Sequence, residues 1–247
     1  MTIREYKGAL HLHTDLSHDG ELTFEQLTSF LKGKGYDFIT ITDHSYDVKQ
    51  ADMDKLAQKA KEASTDDFLV IPGIEFRCKY DIDILGLGVY QTIESDDLGI
   101  VIDHIHANSG VAIFAHPNQE SYIIEKNWVS KLDGVEIFNH KEGKLLPHIS
   151  TIKLCNKMQK WHPKLNIHIG LDLHHLRGFM FLSTTVQADK NDRNEILDAL
   201  KAGEFTNESA FFNVGSDGQL DTFYLLYIYL FRTVLNFIRW LRDILHI

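Results

Sequence analysis

Side chains of two chemical kinds, imidazole and carboxylate, gather at or beside the ends of the chain's short apolar runs: His11, His13, His18, Asp19, Asp43, His44, Glu75, Asp83, His116, Asp172 and His174. Neutral imidazoles and carboxylates without a cysteine cluster suit Zn²⁺, Mn²⁺ or Fe, and the residue types do not choose among them. In the stretch GALHLH, residues i and i+2 of a strand point to one side, so His11 and His13 are expected to face together, as two ligands of one ion must. A lone His-x-His is weak evidence, because imidazoles at a strand end can simply be hydrogen-bonded there. Two such ends within residues 8–44, and three more downstream, carry the metal reading. The chain offers no competing chemistry: there is no glycine-rich phosphate loop, no Gly-x-Ser-x-Gly elbow and no cysteine nucleophile motif.

The elements that must position these groups are signalled by pattern. After the first strand, Thr23 is a fitting N-cap with Gln26 three residues on. Leu22 and Leu27 occupy staple positions, and Gly33 and Gly35 close the helix. Residues 37–42 read as a buried parallel strand with Asp43 and His44 at its C-terminal end, where barrel and α/β enzymes keep their chemistry. Further strands are expected at 68–73 ahead of Glu75, at 82–89, at 111–115 ahead of His116, at 134–138, and at 166–171 ahead of Asp172. Helices are expected over 51–63, 96–108 and 190–202. Strand alternating with helix means parallel pairing in a layered or barrel α/β fold. No repeat, low-complexity tract or convincing linker precedes residue 213.

Two hundred and forty-seven residues suffice for one large barrel-type domain, or a domain and an appendage. A net charge of −10 argues against a general binder of long nucleic acid, which needs a basic face. Clustered carboxylates are themselves a reason for acidity, and bound divalent cations would offset part of it. With only Cys78 and Cys155 there is no disulfide framework, and MTIREYKG lacks the apolar core of a signal peptide, so a cytoplasmic location is expected.

The motifs HLHT, DGELT and ITDH, then Gly73-Ile74-Glu75, Ala115-His116-Pro117, Val135-Glu136-Ile137-Phe138-Asn139 and Gly170-Leu171-Asp172-Leu173-His174, resemble in order the PHP family, named after its polymerase and histidinol phosphatase members. Two departures stand out. Ser17-His18-Asp19-Gly20 carries one residue more than the usual Ser-Asp-Gly, and Asp83 stands where many members have the histidine of His-x-Leu-Gly. The resemblance implies a distorted, seven-stranded parallel (β/α) TIM-like barrel over residues 1–213, with residues 214–247 as an appended helical tail. It also implies two or three divalent ions (Zn, Mn or Fe). His11, His13 and Asp172 would hold the first, with Glu75 bridging to a neighbour. His44 would hold the second with either His18 or Asp19: counting from His11 favours His18, aligning Gly20 favours Asp19, and Asp19 is preferred. His116 and His174 would hold a third, with Asp83 replacing the usual histidine. Asp43 would orient His44 or a metal-held water, and Arg77 and Arg177 are candidate grips for a phosphate. Glu136 and Asn139, at a strand end, are further candidate participants.

The implied reaction is hydrolysis of a small phosphomonoester by a water that the ions activate. Two other readings stay open. One is a phosphodiesterase, nuclease or amidohydrolase-like C–N hydrolase on the same cluster. The other is a non-catalytic metal-binding module docked to a partner by its tail. Residues 221–247 are dense in large apolar side chains, yet Arg232, Asn236, Arg239 and Arg242 interrupt them, so an amphipathic helix is expected rather than a membrane span. Its apolar side must dock on the barrel flank, on a second copy of the chain or on a membrane surface, and docking on protein, with a homodimer as its form, is the expectation.

Overall fold

The apolar runs become strands because each is bounded by glycine, turn residues or a capped helix. In the computed structural model, which describes residues 3–117 and 124–245, the order is β1 (Arg4–Leu12), α1 (Phe24–Gly33), β2 (Phe38–His44), α2 (Gln50–Ala63), β3 (Leu69–Arg77), β4 (Asp83–Leu87), α3 (Leu98–Ala107), β5 (Val111–Phe114), α4 (Lys126–Val129), β6 (Gly134–Asn139), α5 (His140–Gly143), α6 (Ile149–Trp161), β7 (Asn166–Gly170), β8 (Leu182–Ala188), α7 (Arg193–Ala202), β9 (Phe205–Ser209), β10 (Asn213–Gly215) and α8 (Thr222–Leu245). The side chains of Asn236, Arg239, Arg242, Asp243, Ile244 and Leu245, and residue His246, lie outside the described residues. Helix α1 starts as its sequence demands: the Thr23 hydroxyl accepts from Gln26 N–H, and the Gln26 side chain accepts from Thr23 N–H.

The strands form one ten-stranded sheet in the order β10-β9-β8-β1-β2-β3-β4-β5-β6-β7. This corrects the expectation of seven parallel strands in two ways. Strand β4 runs antiparallel to both β3 and β5, and β8 to β10 add an antiparallel flap to β1. The flap is hard to read because β8 and β9 are rich in Ser, Thr and Asn and bury only part of their length. The sheet curls almost into a ring through the segment after β7. Leu171 N–H donates to Leu10 O (3.0 Å) and His13 N–H donates to Leu173 O (3.0 Å). β1 thus shares one edge: residues 4–8 pair with β8, and residues 10–13 meet the segment that follows β7.

Burial follows the pleat. Ile39 and Ile41 of β2 join an apolar cluster with Leu27 of α1 and Met53 of α2, on the helical side of the sheet. Phe38, Ile71, Leu85 and Ile113 form a second cluster with Leu10 and with Ile196, Leu197 and Leu200 of α7, which therefore plugs one end of the barrel. The opposite end stays open and collects the C-terminal ends of the parallel strands. Helix α8 lies against the body through Ile228 and Arg232, both buried, while Phe223, Leu226, Leu230, Val234, Phe237 and Trp240 face outward and are more than half exposed. Among the described residues no helix is long and apolar enough to cross a membrane.

One buried group ties this fold to pH. His168 of β7 is fully enclosed, stacks on Phe205 at 4.6 Å, and has no hydrogen-bond partner on either ring nitrogen. Burial pushes its imidazole down to about 3, with Asp133 opposing. The folded state therefore keeps the neutral ring, whereas the unfolded chain protonates near the ordinary value of about 6.5. Its contribution is fully present above that value and is lost as pH falls from about 6.5 toward 3, reaching on the order of 3 kcal/mol at pH 4. Denaturant unfolding of His168→Phe should show a flatter fall in stability over this window than the natural protein. Identical slopes would assign the acid sensitivity to another group.

Candidate metal centre

Strand β1 is not regular where it delivers its histidines. Ala9 pairs with Ile39 and Leu12 with Ile41, so three steps on β1 oppose two on β2. The bulge falls at His11, whose φ is +63°, a left-handed conformation that β-strand residues rarely adopt. His11 and His13 still converge, with ring centroids 5.2 Å apart, but through this bulge rather than simple alternation. His116 (φ +30°) and Asp172 (φ +49°) share the positive sign. Three of the candidate ligands thus sit on backbone that costs energy to hold, as functional sites often do.

Glu75 of β3 is the centre of the group. Its Oε1 lies 3.4 Å from His11 Nε2 and 2.9 Å from His116 Nε2, and its Oε2 lies 3.4 Å from His13 Nε2 and 2.9 Å from His44 Nδ1. Asp172 Oδ1 closes the first set, 3.7 Å from His11 Nε2 and 3.4 Å from His13 Nε2. Asp19 bridges the last two histidines, with Oδ1 3.3 Å from His44 Nε2 and Oδ2 3.1 Å from His174 Nε2. Burial alone would raise the Glu75 and Asp172 carboxyls. The imidazoles around them, His11 foremost, hold both well below the ordinary range instead.

Divalent ions fit this arrangement. His11 Nε2, His13 Nε2 and His44 Nδ1 are buried without a hydrogen-bond partner, although carboxylate oxygens face them. Two donors each about 2.1 Å from one tetrahedral ion lie about 3.4 Å apart, which is the observed spacing of His11 and His13 from Glu75. Among the described residues, donor atoms within 4.8 Å of one another define three groups: His11, His13 and Asp172; His11, Glu75 and His116; and His13, His44 and His174.

The tautomers are set from behind. His11 Nδ1 donates to Glu136 Oε1 (2.9 Å), and Glu136 Oε2 accepts from His116 N–H and from Asn139 Nδ2. Ser17 Oγ donates to Asp43 Oδ1 (2.7 Å) and accepts from His13 Nδ1 and from His44 N–H. Each arrangement directs Nε2 of His11 or His13 at the carboxylates, where the neutral ring would offer its lone pair to an ion. Asp43 also accepts from Thr14 N–H and Thr14 Oγ1, so it orients His13 through Ser17 rather than the His44 ring. Thr14 and Ser17 escape the sequence reading, although their places just after His-x-His are their signal.

Of the two candidates in the inserted loop, the structure brings in Asp19. Turns from Ser17 N–H to Thr14 O and from Gly20 N–H to Ser17 O send His18 outward, where its Nδ1 lies 2.8 Å from Asp47 Oδ2. Any side chain at Gly20 would strike Thr14 O, which fixes that turn. His116 and His174 do not share a third site. His116 stacks on His11, and His174 on His13 (centroids 4.1 Å), because β5 and β7 enter the mouth apart. Asp83 is the partner of His116 at 3.8 Å, and Arg77 grips its other oxygen. Arg77 therefore anchors a carboxylate. Arg177 is well exposed, 3.6 Å from Glu21. Two lysines missed by the sequence reading, Lys141 and Lys144, line a cleft of about 270 Å³ with Asp19, His140, Asp172, His174 and His175.

After reconstitution, elemental analysis should find two to three equivalents of divalent metal, and His11→Ala or Glu75→Ala should lose most of it. Glu136→Gln should weaken metal binding by about 10–100-fold while keeping the fold. One equivalent or fewer in the natural protein would rule out a polynuclear centre.

Comparison with known proteins bears on the fold and the family. Over 225 residues the chain is 29% identical to the DNA polymerase/3′-5′ exonuclease PolX of Bacillus subtilis, a match covering 81% of this chain and 36% of that relative, so the chain spans about a third of its length. In fold it is similar to a two-domain Bacteroides vulgatus protein containing a predicted PHP-like metal-dependent phosphoesterase (TM-score 0.64, 18% identity, 86% of this chain and 67% of the other). PsfC of Pseudomonas syringae is similar too (TM-score 0.60, 11% identity, 94% of this chain and 99% of the other). So is Endonuclease Q, seen with a 27-mer duplex carrying an abasic lesion at its active site (TM-score 0.58, 12% identity, 86% and 60%). Residues 9–172 match the PHP domain, and the chain belongs to that family.

Proposed function

We propose that the protein is a metal-dependent phosphoesterase that hydrolyses a small phosphomonoester. The observation that carries this reading is the Glu75 carboxylate facing four imidazoles beside a cleft rimmed by Lys141 and Lys144. Ions held by His11, His13, Glu75 and Asp172, and by Glu75, Asp83 and His116, would supply Lewis acidity toward a phosphoryl oxygen and make water a nucleophile near neutral pH. The remaining work belongs to the chain. Glu136 and Ser17 hold the His11 and His13 rings in one orientation, and Arg77 holds Asp83 toward His116. The lysine ammonium groups meet the phosphate charge. The cleft is near the lower end of small-ligand sites, which run from about 300 Å³ upward, so a compact ester suits it.

A nuclease or phosphodiesterase is the second reading, favoured by the likeness to PolX. The net charge of −10 weighs against it, since phosphate-backbone binding draws on clustered basic residues. A mononucleotide or sugar phosphate should therefore be cleaved with a higher kcat/KM than a single-stranded oligonucleotide, each assayed with Mn²⁺, Zn²⁺ and Fe²⁺. The reverse order would make the protein a nuclease.

A further inference from the structure

We propose that Lys141 fills the third cation position of the centre, so that the protein binds two divalent ions and completes the charge pattern with its own ammonium group. The proposal rests on the metal-dependent reading above and refines it.

The geometry at His174 is the starting point. Its Nδ1 lies 3.1 Å from Asp172 O and donates to it, which leaves a lone pair on Nε2. That lone pair faces Lys141 Nζ at 3.1 Å. The same ammonium lies 3.3 Å from Asp19 Oδ2, while Asp19 Oδ1 faces His44 Nε2 at 3.3 Å. The remaining donor group is His13, His44 and His174, with Asp19 facing the last two, and a lysine already sits on Asp19 and His174. Elsewhere in the centre, cation contacts among the described residues are confined to Arg77 on the outer oxygen of Asp83.

Lys141 is not carried on a loose loop. It belongs to α5, whose N-cap Asn139 accepts from Glu142 N–H through its side chain. At the other end, Gly143 O, Leu146 O and Pro147 O all accept from the buried Arg232 guanidinium of α8. The backbone is thus held on both sides of the lysine, and its ammonium is presented to Asp19 and His174 from the rim of the cleft. An ion entering this position would have to displace a positive charge from two of its ligands and then lie beside it. That opposes the third ion and leaves the two Glu75-linked positions untouched.

The bland alternative is a partly exposed ion pair of small worth, which an ion would displace without measurable cost. Metal counting separates the two. The natural protein, Lys141→Ala, and Lys141→Ala combined with Asp19→Asn are reconstituted with Mn²⁺, freed of excess metal and analysed for metal content. Calorimetric titration with Mn²⁺ follows. The natural protein should hold about two equivalents and Lys141→Ala about three, with affinity for the last ion raised at least about tenfold, and the double variant should return to two. Lys141→Leu repeats the test if the alanine variant is misfolded by circular dichroism. Three tight ions in the natural protein, or no gain in either lysine variant, would overturn the proposal and leave the metal-dependent reading standing. One ion or none, unaffected by His11→Ala, would instead defeat that reading and the proposal with it.

Discussion

A carboxylate withdrawn from water is the constraint on which the rest of this structure depends. Glu75 is almost wholly buried, and the desolvation of such a charge is repaid only by well-placed opposite charge or hydrogen bonding. Its four close neighbours are imidazoles, which offset the charge only as protonated rings, as the raised His11, His44 and His116 show, and which as neutral metal ligands leave that charge to the ions they hold. The site therefore calls for cations, and the barrel is arranged to keep that call focused. β1 is bulged at His11 to bring two rings to one side, β4 is reversed so that Asp83 reaches the mouth from its first residue, and His116 and Asp172 adopt positive φ. Each positive φ costs about 1–3 kcal/mol and survives only where its surroundings enforce it.

Around Glu75 the carboxylates follow a common plan. Asp43 and Glu136 never face the central atoms. They accept N–H and O–H donors, and through Ser17 and directly they turn His13 and His11. Asp83 turns one oxygen toward His116 and the other to Arg77, and Asp19 turns one toward His44 while His174 and Lys141 share the other. A cation at the edge that holds one oxygen outward orders the carboxylate without occupying both of its lone-pair sites.

Much of this was legible in the chain. Pattern located β1 to β7 and helices α1, α2, α3 and α7, because their apolar spacing, caps and closing glycines agree with one another. The ligand-bearing strand ends followed from that. What stayed hidden has physical reasons. Strands β8 to β10 take part of their stability from ladder hydrogen bonds rather than from a continuous apolar run, so composition does not announce them. The direction of β4 is set by packing, not by its own residues. The choice between His18 and Asp19 turned on two tight turns and on Asp47, which lies far along the sequence. That Arg77 holds Asp83, and that Lys141 meets Asp19 and His174, could be read only once the fold had brought those partners near.

Arg232 also bears on the order in which the molecule can be completed. The loop 143–147 sits next to the candidate centre, but its carbonyl groups are satisfied by a residue 85 to 89 positions further along the chain. On the ribosome, strands β1 to β7 can pair before that arginine exists, and domains generally consolidate from the N-terminal side during synthesis. The rim segment 143–147 is therefore left without its anchor until α8 emerges. In a nascent chain the metal-ligand strands would come together first and the rim last, a window in which ions could enter an unfinished cleft with fewer obstacles than the finished one presents.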